Sequence, residues 1–387
     1  MTGGSAGSKR GKGRLALGRL VLGWLTGLAA ILVLACGTVV VLHAHHGQEA
    51  SAAVRSATRQ PQARPAVPLA TLRLVSVAPA AGADDVDGAQ PVRLTLSGVA
   101  AATSRPRISP PAAGAWSQDG DSLTFIPSAA FPPGTRVTIS VPGGRASWST
   151  SFRTGSYSTL RLQQLLAQLG YLPLSWSASL GQAVMPGNVA AQLSAAYQPP
   201  AGRFTWVSGY PPSLASFWQQ GQGNLIDTGA IMAFESQHGM TLDGLASPAL
   251  WTALLLAAET QQGNPDGYTY AIASKVLPET LTIWHGGRQV FRSLANTGIP
   301  VAPTDDGTFP VYLRYRYQVM QGTNPDGSHY ADPVQFVSYF QAGEAVHYFP
   351  RYSYGFPQSL GCVELPLDAA AQAWPYLTYG SLVTVTP

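Results

Sequence analysis

The chain has 387 residues, of which 11% are charged, and its net charge is +4. That length has room for about two to four domains. Lys9, Arg10, Lys12, Arg14 and Arg19 all lie near one end and leave the remainder slightly negative. This excludes a basic nucleic-acid surface and makes the positive excess a topology signal.

Leu20 to Leu42 is an apolar run of twenty-three residues without a charge, enough to cross a bilayer core of roughly 30 Å. The basic flank before it places residues 1–19 in the cytoplasm, 20–43 in the membrane as a single transmembrane helix, and the rest outside. A cleaved signal peptide and a weak lipobox at Val33-Leu34-Ala35-Cys36 are the competing readings. The first lacks a clean cleavage site. The second is followed by Thr38-Val39-Val40-Val41-Leu42, where a lipoprotein would turn polar. Residues 44–70, rich in Ala, Arg, Gln and Pro, read as a tether.

Residues 71–155 alternate apolar and polar positions in short runs such as Val92-Arg93-Leu94-Thr95-Leu96 and Val137-Thr138-Ile139-Ser140-Val141. Turn residues separate them, which predicts a β-sandwich. Pro79-Ala80-Ala81-Gly82 and Pro132-Pro133-Gly134-Thr135 resemble the opening and late turn of bacterial Ig-like domains, which implies a spacer.

Residues 156–262 change period. Leu162, Leu165, Leu166 and Leu169 mark one helix face, with Ser158 before it and Gly170 after. A second helix is expected from Asp227 and a third from Ser247-Pro248, an N-cap followed by Pro in the first turn. The stretches LRLQQLLAQLGYLPL and AIMAFESQHGMTLDGLASPALWTALL resemble the small helical peptidoglycan-binding module. Glu235 replaces the module's usual Gln, and an insertion at 172–226 separates the first helix from the rest. The insertion's Trp176, Tyr197, Trp206, Tyr210 and Trp218 are read as local packing rather than a sugar-stacking surface.

Strand patterns return from Tyr270, with a Gly286-Gly287 hairpin turn and a last strand at Ser381 to Val385. Residues 268–387 read as a mostly β domain. It contains Cys362, whose only fellow cysteine is Cys36 in the apolar run. A lone exported cysteine that follows Gly361 and lies fifteen residues after His347 suits nucleophilic chemistry. The imidazole takes the thiol proton, and Gly361 lets the backbone approach a substrate. The other histidines are scattered, without the short spacing of a metal site.

The order Asn296-Thr297-Gly298, Pro303-Thr304-Asp305-Asp306-Gly307-Thr308-Phe309, a strand ending at His347, then Ser359-Leu360-Gly361-Cys362-Val363-Glu364-Leu365 resembles the YkuD-type L,D-transpeptidase catalytic domain. The resemblance implies a β-sandwich-like catalytic fold, Cys362 as nucleophile and His347 as base. The carbonyl of Tyr348 would orient the imidazole, and Ser359 and Gly361 would shape the turn and the oxyanion hole. Tyr339, Tyr354 and Glu364 are the candidate substrate contacts. Leu360 stands where the family commonly has a second His, and Glu364 where Arg or Asn is common. The activity implied is 3→3 cross-linking of peptidoglycan stem peptides through a thioester, with release of D-Ala, without cofactor or metal. A non-catalytic peptidoglycan-binding scaffold is the alternative. A sortase would need an arginine after the cysteine, and NlpC-type peptidases place Cys before His.

Overall fold

The computed structural model describes residues 73–97, 106–141 and 148–387. The expected anchor and tether lie outside these residues. No helix among the described residues is long and apolar enough to cross a membrane.

The first seven strands are β1 (Arg73–Ala78), β2 (Val92–Ser97), β3 (Arg107–Ser109), β4 (Gly114–Asp119), β5 (Ser122–Pro127), β6 (Arg136–Val141) and β7 (Trp148–Arg153). They form two sheets, ordered β1-β2-β5-β4 and β3-β6-β7. The alternation buries Val92, Leu94, Phe125, Val137, Ile139 and Phe152 in one shared core, the period-2 outcome expected of a sandwich.

Helix α1 (Thr159–Gln168) follows, and its leucine stripe enters a second core. The segment 172–226 is more regular than an insertion of Gly, Pro and Ser suggests. It forms β8 (Leu174–Ala178), α2 (Val189–Tyr197), β9 (Gly202–Trp206) and a 3₁₀ turn over Pro212–Phe217. Its aromatics pack: Trp176 is buried, Phe204 stacks edge-on with Trp218, and Tyr210 donates to the Tyr268 carbonyl at 2.7 Å. Helices α3 (Leu225–Gln237) and α4 (Pro248–Thr260) complete this region. Asn224 caps α3, and the Ser247 hydroxyl accepts from the Leu250 N–H to cap α4.

The C-terminal region has two sheets. One is ordered β12 (Arg288–Leu294), β11 (Thr280–His285), β10 (Thr269–Ser274), β18 (Leu382–Thr386), β13 (Gly307–Pro310). Gly286 and Gly287 both have positive φ in the β11–β12 turn, a backbone that glycine adopts without strain. The second sheet is ordered β14 (Leu313–Thr323), β15 (His329–Gln341), β16 (Glu344–Tyr348), β17 (Val363–Leu365). The long β14–β15 hairpin is only partly legible in the sequence, because β14 carries Arg and Gln between its tyrosines. Helix α5 (Leu367–Ala373) is too short for its apolar period to show in the sequence. Ala271, Ile283, Val346, Val363, Ala370 and Val383 bring both sheets and α5 into one core.

Candidate active site

Strands β16 and β17 run parallel, with Val346 opposite Val363 and His347 opposite Glu364. A parallel pair cannot close through a tight turn. The chain therefore loops out over 349–362, and Cys362 arrives beside β16 at the foot of β17. His347 and Cys362 line one cleft of about 680 Å³. Its other wall is one face of the hairpin, where Tyr330, Val334 and Tyr339 of β15 lie with Gln318 and Met320 of β14.

The His347 ring is buried, and its Nδ1 lies 2.9 Å from the Tyr348 carbonyl. A carbonyl only accepts, so Nδ1 carries the proton and Nε2 keeps its lone pair for a substrate or thiol proton. Burial lowers the His347 pKa below its ordinary value, and the Tyr348 bond opposes this. Burial pushes the Cys362 thiol up to about 12; the Ala345 N–H works against the rise, and Glu364 and Glu344 add to it. Both shifts favour a neutral thiol and a neutral imidazole at rest over an ion pair. The thiol sulfur lies 3.9 Å from the Gly343 carbonyl oxygen.

Ser359 shapes the cysteine turn in both directions. Its hydroxyl accepts from the Gly361 N–H at 3.2 Å and donates to the Cys362 carbonyl at 2.5 Å. Gly361 has φ +112, a left-handed backbone that disfavours a side chain, and a Cβ there would meet Glu344 Oε1 at 3.2 Å. The Gly361 N–H, expected to help form the oxyanion hole, here donates to the Ser359 hydroxyl. The Cys362 N–H has no such bond among the described residues, so it is the donor the turn leaves free.

The Asn-Thr-Gly segment holds this turn from outside. Asn296 and Glu364 exchange backbone bonds at 3.0 and 2.9 Å. The Thr297 carbonyl accepts from the Gln358 and Ser359 N–H groups, and Ile299 N–H donates to the Ser359 carbonyl. Thr297 is fixed in turn by Glu279, a fully buried carboxylate that takes its N–H at 2.6 Å and its hydroxyl at 2.7 Å. Asn296 Oδ1 accepts from the Gly355 N–H. Nothing in the sequence marks Glu279, because one Glu before a strand carries no signal.

Two candidate substrate contacts are placed differently from expectation. Glu364 is buried and its carboxylate is taken by Arg351, from Nε and Nη2 at 2.7 Å each. Arg351 Nη2 also donates to the Gln358 carbonyl. The pair ties the loop's start to β17, because a buried carboxylate needs a cation more than a substrate does. Tyr354 does not line the cleft; its hydroxyl donates to the Phe349 carbonyl at 2.6 Å and braces the loop. Tyr339 does line it, with its hydroxyl bonded to Gln318. Leu360 also lines the cleft. Asp305 and Asp306 do more than cap their turn. Asp306 pairs with Lys275 at 2.7 Å, and the Asp305 N–H donates to Glu344. Burial pushes the Glu344 carboxyl up to about 7.

Residues 269–385 match the family model of the L,D-transpeptidase catalytic domain, YkuD. Over longer spans the chain is similar to an L,D-transpeptidase from Mycobacterium smegmatis, at 17% identity and TM-score 0.29, covering 82% of this chain and 99% of that one. L,D-transpeptidase 3 from Mycobacterium tuberculosis follows at 16% and 0.28, covering 81% and 98%. The catalytic domain of the E. faecium L,D-transpeptidase is 23% identical with a TM-score of 0.29, covering 30% of this chain and 96% of that one. No curated protein matches the chain.

Proposed function

We propose that the protein is a membrane-anchored peptidoglycan L,D-transpeptidase, with residues 20–43 as the anchor and the YkuD domain outside, facing the wall. The observation that supports this most is the His347 imidazole, held on the Tyr348 carbonyl with Nε2 unprotonated, in the same cleft as Cys362.

Cys362 Sγ attacks the carbonyl carbon of the third stem residue, a diamino acid, in a donor tetrapeptide. His347 Nε2 takes the thiol proton as the S–C bond forms. The tetrahedral oxygen is met by the Cys362 N–H, a contribution of about 3 kcal/mol in such sites. The C–N bond to D-Ala then breaks, and the proton on His347 passes to the leaving amine. A neutral amine of a second stem attacks the thioester, gives its proton to His347, and forms the 3→3 amide. The thiolate leaves and recovers that proton. Water in place of the amine gives carboxypeptidation.

The test is the intact mass of the full-length chain after incubation with a tetrapeptide muropeptide and with a carbapenem, beside Cys362→Ala. An adduct on the wild type alone is expected, and muropeptide analysis then separates cross-linking from trimming. No adduct on folded wild type with either reagent would move the assignment to a non-catalytic wall-binding scaffold.

A further inference from the structure

The cleft that holds His347 and Cys362 is lined by three carboxylates, Asp326, Asp332 and Glu364, and by the Arg351 guanidinium. Arg351 is spent on Glu364. Asp326 accepts from the Ser328 N–H and hydroxyl within its own turn. Asp332 stands apart. It has no cation within salt-bridge distance and no side-chain hydrogen bond among the described residues.

Its place in the hairpin is fixed by register. Tyr330, Asp332 and Val334 alternate along β15 and so share the face that lines the cleft. Met320 is opposite Asp332, and Gln318 is opposite Val334. A half-buried, unpaired carboxylate among Met320, Tyr330 and Val334 favours a cationic ligand group and disfavours an anionic one.

We propose that Asp332 is a specificity-determining residue that binds the side-chain ammonium of the donor stem's diamino acid. The inference rests on the transpeptidase reading. It assigns the ammonium to the donor because a carboxylate paired with the acceptor amine would keep that amine protonated and unable to attack. The donor's side-chain amine does not react, so holding it charged costs the chemistry nothing.

The experiment compares acylation of Cys362 in the full-length chain by two donor tetrapeptides, one with the diamino-acid amine free and one with it acetylated. The readout is the ratio of the two kcat/KM values, which cancels any general loss of activity. The wild type is expected to favour the free amine by about tenfold or more. Asp332→Asn brings the ratio near one, mainly through a higher KM for the free-amine donor. Asp332→Glu restores the preference, and Asp332→Lys turns it toward a donor whose amine is succinylated. An unchanged ratio in Asp332→Asn together with no gain for the succinylated donor in Asp332→Lys overturns the assignment. So does an effect confined to capture of the preformed thioester by acceptor. In both cases adduct formation still stands, so the transpeptidase reading survives. Absence of any acyl-enzyme on the wild type overturns both.

Discussion

The two walls of the cleft that holds His347 and Cys362 are built on opposite terms. The wall that carries Cys362 is a lattice of short polar bonds: Ser359 across the turn, Asn296 and Thr297 along it, Glu279 beneath Thr297, and Arg351 on Glu364. The hairpin wall has few. Tyr339 bonds Gln318, while Asp332 has no side-chain partner among the described residues. On the proposed reading, one wall fixes where bonds form and break, and the other selects by charge and shape what enters. Substitutions in the first should therefore change rate and stability, and substitutions in the second should change selectivity.

The largest expected effect tests the first wall at its chemical end. His347→Ala should slow Cys362 acylation by about 10²–10⁴-fold, the usual worth of a positioned base. In the wild type, acylation should hold through neutral pH and fall only as pH drops below the ordinary histidine range, because the His347 pKa is lowered. A rate governed instead by a group titrating well above neutrality would mean that the thiol ionises without His347.

Glu279→Leu comes next. It strands the Thr297 N–H and hydroxyl in a buried place, which should cost about 3 kcal/mol by denaturant unfolding and lower acylation as the turn loosens. Stability lost without any loss of rate would show that the Asn-Thr-Gly segment supports the fold but does not position the nucleophile. Ser359→Ala removes both bonds across the turn. It should lower the acylation rate about tenfold with a stability cost near 1 kcal/mol.

Away from the cleft, Asp227 at the start of α3 is buried, and burial raises its carboxyl to about 7 against bonds from Gln163 and Asn224. Between about pH 4 and 7 the unfolded chain has released this proton and the native chain retains it. Stability from this group is therefore present at low pH and falls as pH rises through that window. Asp227→Asn, with its oxygen in the place of Oδ2, should flatten that part of the melting-temperature profile. The smallest effect expected is from Tyr354→Phe, about 1 kcal/mol or less with substrate preference intact. A changed preference would return Tyr354 to the substrate contacts.

The lone cysteine, the histidine before it and the strand patterns around them were legible because they depend on residue type and spacing. Gly361 was legible as well, since its φ of +112 suits the one residue without a Cβ. The role of its N–H was not, because that depends on where the Ser359 hydroxyl turns. Glu364 illustrates the same limit. Its position two residues after the cysteine suggested substrate contact, but Arg351, thirteen residues earlier, takes its carboxylate. The Asp332 carboxylate gave no sign in the sequence. Its proposed role rests on having no cation within salt-bridge distance among the described residues, and only the assembled hairpin shows that.

By itself, then, the sequence determined which side chains are present to do chemistry, the α1, α3 and α4 region, and most strands of the C-terminal sheets. Apolar period, caps and turn residues act over a few neighbours. The tertiary structure decided which carboxylates hold the loop and which one faces the cleft without a partner among the described residues. Electrostatic partnership is settled by distances of a few ångströms between residues far apart in the chain, and local sequence carries no record of them.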